Sequence, residues 1–276
     1  MHNQNTRLMK TLIINIRTNL KSPIKGLGSS ILILVVFMFF SCKDPVVPTI
    51  TVVKNDETYS PSKVRAVMDE WQRKNFNFFF NGASPTGMAL EGNDRGDVVT
   101  TGGSGFGVMA LIVGTERGWI TREQSTTQMQ KIVRFLGKAE RYKGAWSHWY
   151  NPDGTAHAFG DQVKTGDIIE TAFMMAGLLA AGEYYTNTTA VEKEIRDSVA
   201  SFWKTINWRF FAGKDNALNW LYYSQENRLT MHIKGWNEGL ISYILALGAP
   251  DPMNISADVY NNGWLSGGGI LNRTGK

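Results

Sequence analysis

The sequence predicts an all-α fold, on three observations. Apolar residues return at helix-like intervals of three and four through several helix-length segments. No credible pair of alternating strands stands between those segments. The longest loops that separate them carry the glycines, tryptophans and histidines. Stacked helical hairpins with a site built from loops at one end have this layout.

Each element has its own signal. Ser60-Pro61 opens the first helix, with Ser as N-cap and Pro at the first helical position. Val64, Val67, Met68, Trp71, Phe76 and Phe79 then mark an apolar face. A loop rich in Gly, Asp, Asn and Pro covers residues 81–103, and the almost wholly apolar 106–115 (FGVMALIVGT) reads as the next helix. Another spans 121–139, where Thr121 and Gln124 three residues later form a capping box. A polar, aromatic loop covers 141–165. Helical patterns resume at 167–185, 190–206 and 238–247, and a short one near 257–262 brings the count to seven at most. Residues 264–276 (WLSGGGILNRTGK) have no periodicity and close no element.

The front of the chain has a different character. Arg7, Lys10, Arg17, Lys21 and Lys25 precede the run ILILVVFMFF at 31–40, and then Ser41-Cys42. That apolar run falls short of the roughly 20 residues a spanning helix needs, so residues 1–41 read as a secretion signal. Phe39-Phe40-Ser41-Cys42 resembles a bacterial lipobox, which makes Cys42 the expected lipidation site and places the protein at the cell envelope, on the outer membrane or cell surface. A short anchor helix with an incidental Cys is the alternative. Residues 42–59 read as a tether, and 60–276 as the folded domain.

Composition excludes several functions. Five of the 29 basic residues lie in the leader, leaving 24 against 24 acidic residues. A neutral domain gives no reason to expect nucleic acid. Cys42 is the only cysteine, so neither a disulfide framework nor a cysteine zinc site can form. Nine tryptophans are a surplus that suits flat platforms for sugar rings. A monomer is expected, and no motif asks for a cofactor.

Two stretches carry candidate acid/base chemistry. In Gly166-Asp167-Ile168-Ile169-Glu170, a three-residue spacing puts both carboxyl groups on one helix face. Glycoside cleavage uses such a pair, one protonated and one ionised, although the same spacing is also a helix cap. In Gly235-Trp236-Asn237-Glu238, an apolar ring beside a carboxyl group would disfavour its charge and suit it to act as an acid. Glu238 also reads as an exposed first-turn residue. His148, within Trp146-Ser147-His148-Trp149-Tyr150, suits hydrogen-bonding and stacking of a sugar. His148, His157 and His232 match no metal spacing. The glycine run at 102–107 has the wrong spacing for a dinucleotide loop or a serine elbow, and reads as a turn delivering a buried helix close to its neighbours.

Together these stretches resemble the bacterial "glycoamylase" domain family of glycoside hydrolases, which includes endo-β-1,2-glucanases. The resemblance runs through VVTTGGSGFG at 98–107, ERGWITRE at 116–123, WSHWY at 146–150, GDIIETAF at 166–173 and GWNEGL at 235–240. It implies an (α/α)6 toroid and inverting hydrolysis of β-glucan, β-1,2-linked by expectation. Carried over motif by motif, Asp167, Glu170 and Glu238 surround the cleavage point, with Glu238 as general acid. Trp146, His148, Trp149 and Trp236 become subsite contacts, and Asp94-Arg95 resembles a polar pair at the same mouth. Members of the family are nearly twice as long beyond the signal, so half a toroid with an open apolar edge is expected here. The competing readings are a non-catalytic glycan-binding lipoprotein and an inactive fragment of the enzyme.

Overall fold

The structure, a computed structural model, describes residues 60–92, 94–160 and 163–265. The leader, Cys42, the tether and most of the aperiodic tail therefore lie outside the described residues. The chain divides into two units, Met1–Arg65 and Ala66–Lys276. Of the first, only residues 60–65 are described, and they begin a helix.

That helix is α1 (Pro61–Phe80), where the Ser-Pro signal placed it. The periodicity proves a poor guide to its burial. Phe76 is its one buried residue, stacked on Phe80 and tilted against Trp119, whereas Val67, Met68 and Trp71 are exposed.

The core of the second unit is built on α2 (Thr101–Glu116), α3 (Arg122–Lys138), α4 (Ile168–Tyr184), α5 (Ala190–Thr205) and α7 (Leu240–Gly248). Short helices α6 (Trp208–Ala212) and α8 (Ala257–Val259) complete the set, and a π turn at Tyr260–Leu265 follows α8. The capping box of α3 is present in both directions between Thr121 and Gln124.

The glycine run is helix rather than turn. Thr100 is the N-cap of α2, and four glycines sit in its first two turns. Each costs on the order of 1 kcal/mol against Ala in a helix interior. Close approach to α4 explains one of these glycines, Gly105, together with Gly177 on α4 itself. A Cβ on Gly105 would stand 2.3 Å from the Phe173 carbonyl oxygen, and one on Gly177 2.3 Å from that of Gly105.

The expectation of no strand pairs is corrected by three small antiparallel sheets. β1 (Val99–Thr100), β4 (Trp149–Tyr150) and β5 (Ala156–His157) form one, in the order β1-β4-β5. β2 (Arg141–Tyr142) and β3 (Ala145–Trp146) form a second. Their two-residue turn uses positive φ at Lys143 and Gly144, the primed geometry that matches strand twist. β6 (Thr165–Asp167), β7 (Asn219–Tyr223) and β8 (Arg228–His232) form the third. Most of these strands are too short to show a period of two, so periodicity could not find them. Their role is positional: Asp167 lies opposite Leu221 of β7, and Thr100 opposite Trp149 of β4.

Candidate active site

Asp167 is the centre of the site and is fully buried. It ends β6 and caps α4, with Oδ1 accepting from the N–H groups of Ile169 (3.1 Å) and Glu170 (3.0 Å). The same oxygen accepts from the Trp220 indole N–H at 2.9 Å. Its other oxygen, Oδ2, lies 2.8 Å from His148 Nδ1. A buried carboxylate carries a large desolvation cost, and four partners offset it.

The cap reading therefore holds for Asp167. Glu170, however, does not turn back to complete a reciprocal box. Its Oε2 accepts from the Gly102 N–H at 2.6 Å, in the first turn of α2, where the helix dipole favours negative charge. Only glycine permits the approach, since a Cβ on residue 102 would stand 2.5 Å from that oxygen. Burial and the neighbouring charge of Asp167 push the Glu170 carboxyl up to about 7, against the opposing pull of His148 and the Gly102 N–H. Glu91 adds a further upward push.

His148 stands between the two carboxyl groups, with Nε2 3.9 Å from Glu170 Oε1. Burial pulls its proton affinity down, but the hydrogen bond and charge of Asp167, helped by Glu170 and Glu91, outweigh this and raise it. The histidine is fixed from both sides. The Thr101 N–H donates to its carbonyl (3.0 Å), and Phe159 lies across its ring with centroids 4.6 Å apart. Beside it, Trp149 packs against Phe159 at 5.4 Å, with the Arg95 guanidinium 5.7 Å from its ring centre. Trp149 Nε1 is a buried donor with no partner among the described residues.

The predicted site residues thus separate. Asp167, Glu170, His148, Trp149 and Arg95 come together, and Asp94 is an exposed neighbour in the Arg95 loop. Trp146 does not join them. It is fully buried, donates to the Leu136 carbonyl at 3.2 Å, and lies between Phe202 and the Arg141 guanidinium. A fully buried ring has no surface left for a sugar, so the expected subsite contact is corrected to a core residue.

The Glu238 stretch is also rearranged. Asn237 makes a local turn through its Oδ1 and the Gly239 N–H (2.8 Å), which delays α7 to Leu240. Trp236 is 77 % exposed, near Trp264, and Glu238 is exposed as well. The expected burial of this carboxyl under the indole is absent. Its loop still lies beside the site, because a Cβ on Gly239 would be 3.5 Å from Ile169 Cδ1, one residue from Glu170.

Sequence reasoning missed Trp220, Glu91 and Phe159. None carried a local signal: Trp220 and Glu91 reach the cluster from distant parts of the chain, and Phe159 from the irregular segment between β5 and β6. Of the remaining histidines, His157 contacts Asn151 and His232 pairs with Asp215. Among the described residues there is no group of three or more potential metal ligands. A groove of about 650 Å³ near β7 and β8 includes Phe210, Asp215 and His232 in its lining, and none of the Asp167 cluster.

Comparison with known proteins bears directly on this geometry. No family model matches the chain. An exo β-1,2-glucooligosaccharide sophorohydrolase of Parabacteroides distasonis is 38% identical over 218 residues, covering 76% of this chain. The solved endo-β-1,2-glucanase of Chitinophaga pinensis, in complex with sophorotriose and glucose, is 40% identical over 75% of this chain, with a TM-score of 0.68. A solved β-1,2-glucanase from Parabacteroides distasonis is 36% identical over 73% of this chain, with a TM-score of 0.69. Over about three quarters of its length, this chain is their homologue. It spans 30% of the sophorohydrolase and 52% of the Chitinophaga chain, so the described fold corresponds to part of a larger enzyme scaffold.

Proposed function

We propose that this chain is a glycoside hydrolase acting on β-1,2-linked glucan, its helices forming part of an (α/α)6 toroid. The observation that carries the proposal is Glu170: a carboxyl group held near 7 beside a buried Asp–His pair, in a homologue of β-1,2-glucan hydrolases. A group that titrates close to neutrality can hold a proton at rest and release it to a leaving oxygen. Asp167, committed to four hydrogen bonds, orients rather than reacts.

Glu170 supplies the proton to the glycosidic oxygen as the bond to the anomeric carbon breaks. Glu238, exposed on the neighbouring loop, accepts a proton from the attacking water. This exchanges the role that the sequence suggested for Glu238, because the structure buries Glu170 and leaves Glu238 in solvent. Inversion is what the family resemblance implies, and it requires the acid and base about 6.5–9.5 Å apart. Trp149, Phe159 and Arg95 offer a stacking and charged wall for the sugar. Cys42 anchors the protein by a lipid at the envelope, where large glucans arrive.

The test is incubation of the full chain with linear β-1,2-gluco-oligosaccharides, following products and their first-formed anomer by NMR. Release of short oligosaccharides that stops in Glu170→Gln and in Glu238→Gln supports the proposal. Binding without release would replace it with a glycan-binding role. Labelling with a radioactive fatty acid, lost in Cys42→Ala, tests the anchor.

A further inference from the structure

We propose that Trp220 is a positioning residue: its indole N–H locks Asp167 so that His148 is presented, in one orientation, to Glu170. The inference rests on the reading of Glu170 as the proton-holding group, and it concerns a residue on a different element from any member of that cluster.

The geometry separates this bond from ordinary capping. A helix cap is complete when Asp167 Oδ1 accepts from Ile169 and Glu170, both within the first turn of α4. Trp220 adds a third donor to that same oxygen, from β7, 53 residues away. Burial alone does not bring about such a contact. Trp149 and Trp220 are both half-buried and Trp208 is buried, yet the Nε1 atoms of Trp149 and Trp208 have no partner among the described residues, whereas that of Trp220 donates to Asp167. The strand register explains how the bond is aimed. Asp167 pairs with Leu221, so its sequence neighbour Trp220 arrives at a fixed height beside the carboxylate.

With Oδ1 occupied by three donors, Oδ2 is left to a single partner, His148 Nδ1. A carboxylate is an acceptor only, so Nδ1 carries the hydrogen. In neutral His148 the lone pair is then on Nε2, on the side facing Glu170 at 3.9 Å. Asp167 thus sets the tautomer, and Trp220 holds that carboxylate in the orientation that presents His148 to Glu170, as an outer hydrogen-bond partner does for a metal-bound histidine. Trp220 also holds part of the carboxylate's charge away from the imidazole. The charged groups facing His148 are Asp167, Glu170 and Glu91.

Trp220→Phe keeps an aromatic ring and deletes the donor. Two-dimensional ¹⁵N NMR of the full chain, titrated through the His148 ring signals, reads the effect directly. The expected result is an upward shift of the His148 midpoint, because the Asp167 charge is then shared with one donor fewer. An unchanged or lowered midpoint in a variant with native circular dichroism overturns the proposal. A second measurement needs no variant: in the wild type, the Trp220 indole proton resonance should move with the His148 midpoint. A resonance flat across that range overturns it equally. On β-1,2-gluco-oligosaccharides, Trp220→Phe should lower kcat on the order of tenfold and leave KM within about twofold. Absence of turnover by the wild type would remove the hydrolase reading, while the two NMR measurements still decide the role of Trp220.

Discussion

Replacing Glu170 by Gln tests the electrostatics of the site without requiring any substrate. The carboxyl sits with 14% of its side-chain surface exposed and is raised from its ordinary 4.5 to about 7. Because the folded-state value lies above the unfolded one, the folded chain holds this proton more tightly across that interval. Below about 4.5 the group is protonated in both states and costs nothing. As pH rises through 7, the folded chain must carry a buried charge, so stability falls across the window. A displacement of that size is worth about 3 kcal/mol at pH 8. Gln keeps the shape and can still accept from Gly102, but it carries no charge. His148 offsets part of the gain, since it loses the anion that helps to raise it. A net stabilisation of about 1–3 kcal/mol remains, equivalent to roughly 5 °C in Tm for a domain of this size. The assay is thermal melting of wild type and Glu170→Gln at pH 5 and pH 8. The two should melt together at pH 5, and the variant higher at pH 8. A Gln variant that melts lower at pH 8, or that keeps the full wild-type pH slope, would refute the burial argument.

Other substitutions probe separate parts of the structure. Gly105→Ala places a Cβ against the Phe173 carbonyl and should cost about 1–3 kcal/mol or more in urea unfolding, by forcing α2 from α4. Trp146→Phe should lower Tm while leaving glycan affinity by calorimetry unchanged, because its indole belongs to the core. Trp149→Ala should do the reverse and weaken binding of β-1,2-gluco-oligosaccharides by on the order of tenfold, the loss of one stacking face. Phe106, Met109 and Val113 form an exposed apolar stripe on α2 at helical spacing, so the chain should self-associate in ultracentrifugation, and Met109→Lys should reduce it.

Much of the helical framework was legible because helix signals are local. Ser60-Pro61, the Thr121 capping box and the apolar periods of α4 and α5 are each contained within a turn or two of chain. The boundaries slipped where a side chain interfered, as Asn237 does before α7. Strands of two or three residues carry no period, and only pairing defines them. The five-residue β7 escaped for a related reason, since NWLYY has no polar alternation to mark it, and β8 (RLTMH), which does alternate, was left without a recognisable partner strand.

The site divides along the same line. Asp167 and Glu170 could be picked out by type and spacing, as could His148 among its aromatic neighbours. Local sequence could not say which carboxyl group keeps its proton. That depends on burial and on charges brought from other elements: Gly102 from α2, His148 from the 146–150 turn, and Glu91 from a loop. The same limit produced the correction at Trp146. Trp146 and Trp149 stand three residues apart in one motif, yet one is core and the other lines the cluster.

The helical class, the residue types of the site and the family they resemble were legible in the amino-acid order, because each is written in short-range spacing. Tertiary structure alone decided that Asp167 is buried with four hydrogen-bond partners, that the Glu170 carboxyl is pushed up to about 7, and that Trp220 donates to Asp167. Charge states and hydrogen-bond partners depend on distance through space, and the strand register joining β6 to β7 sets that distance across 53 residues of chain.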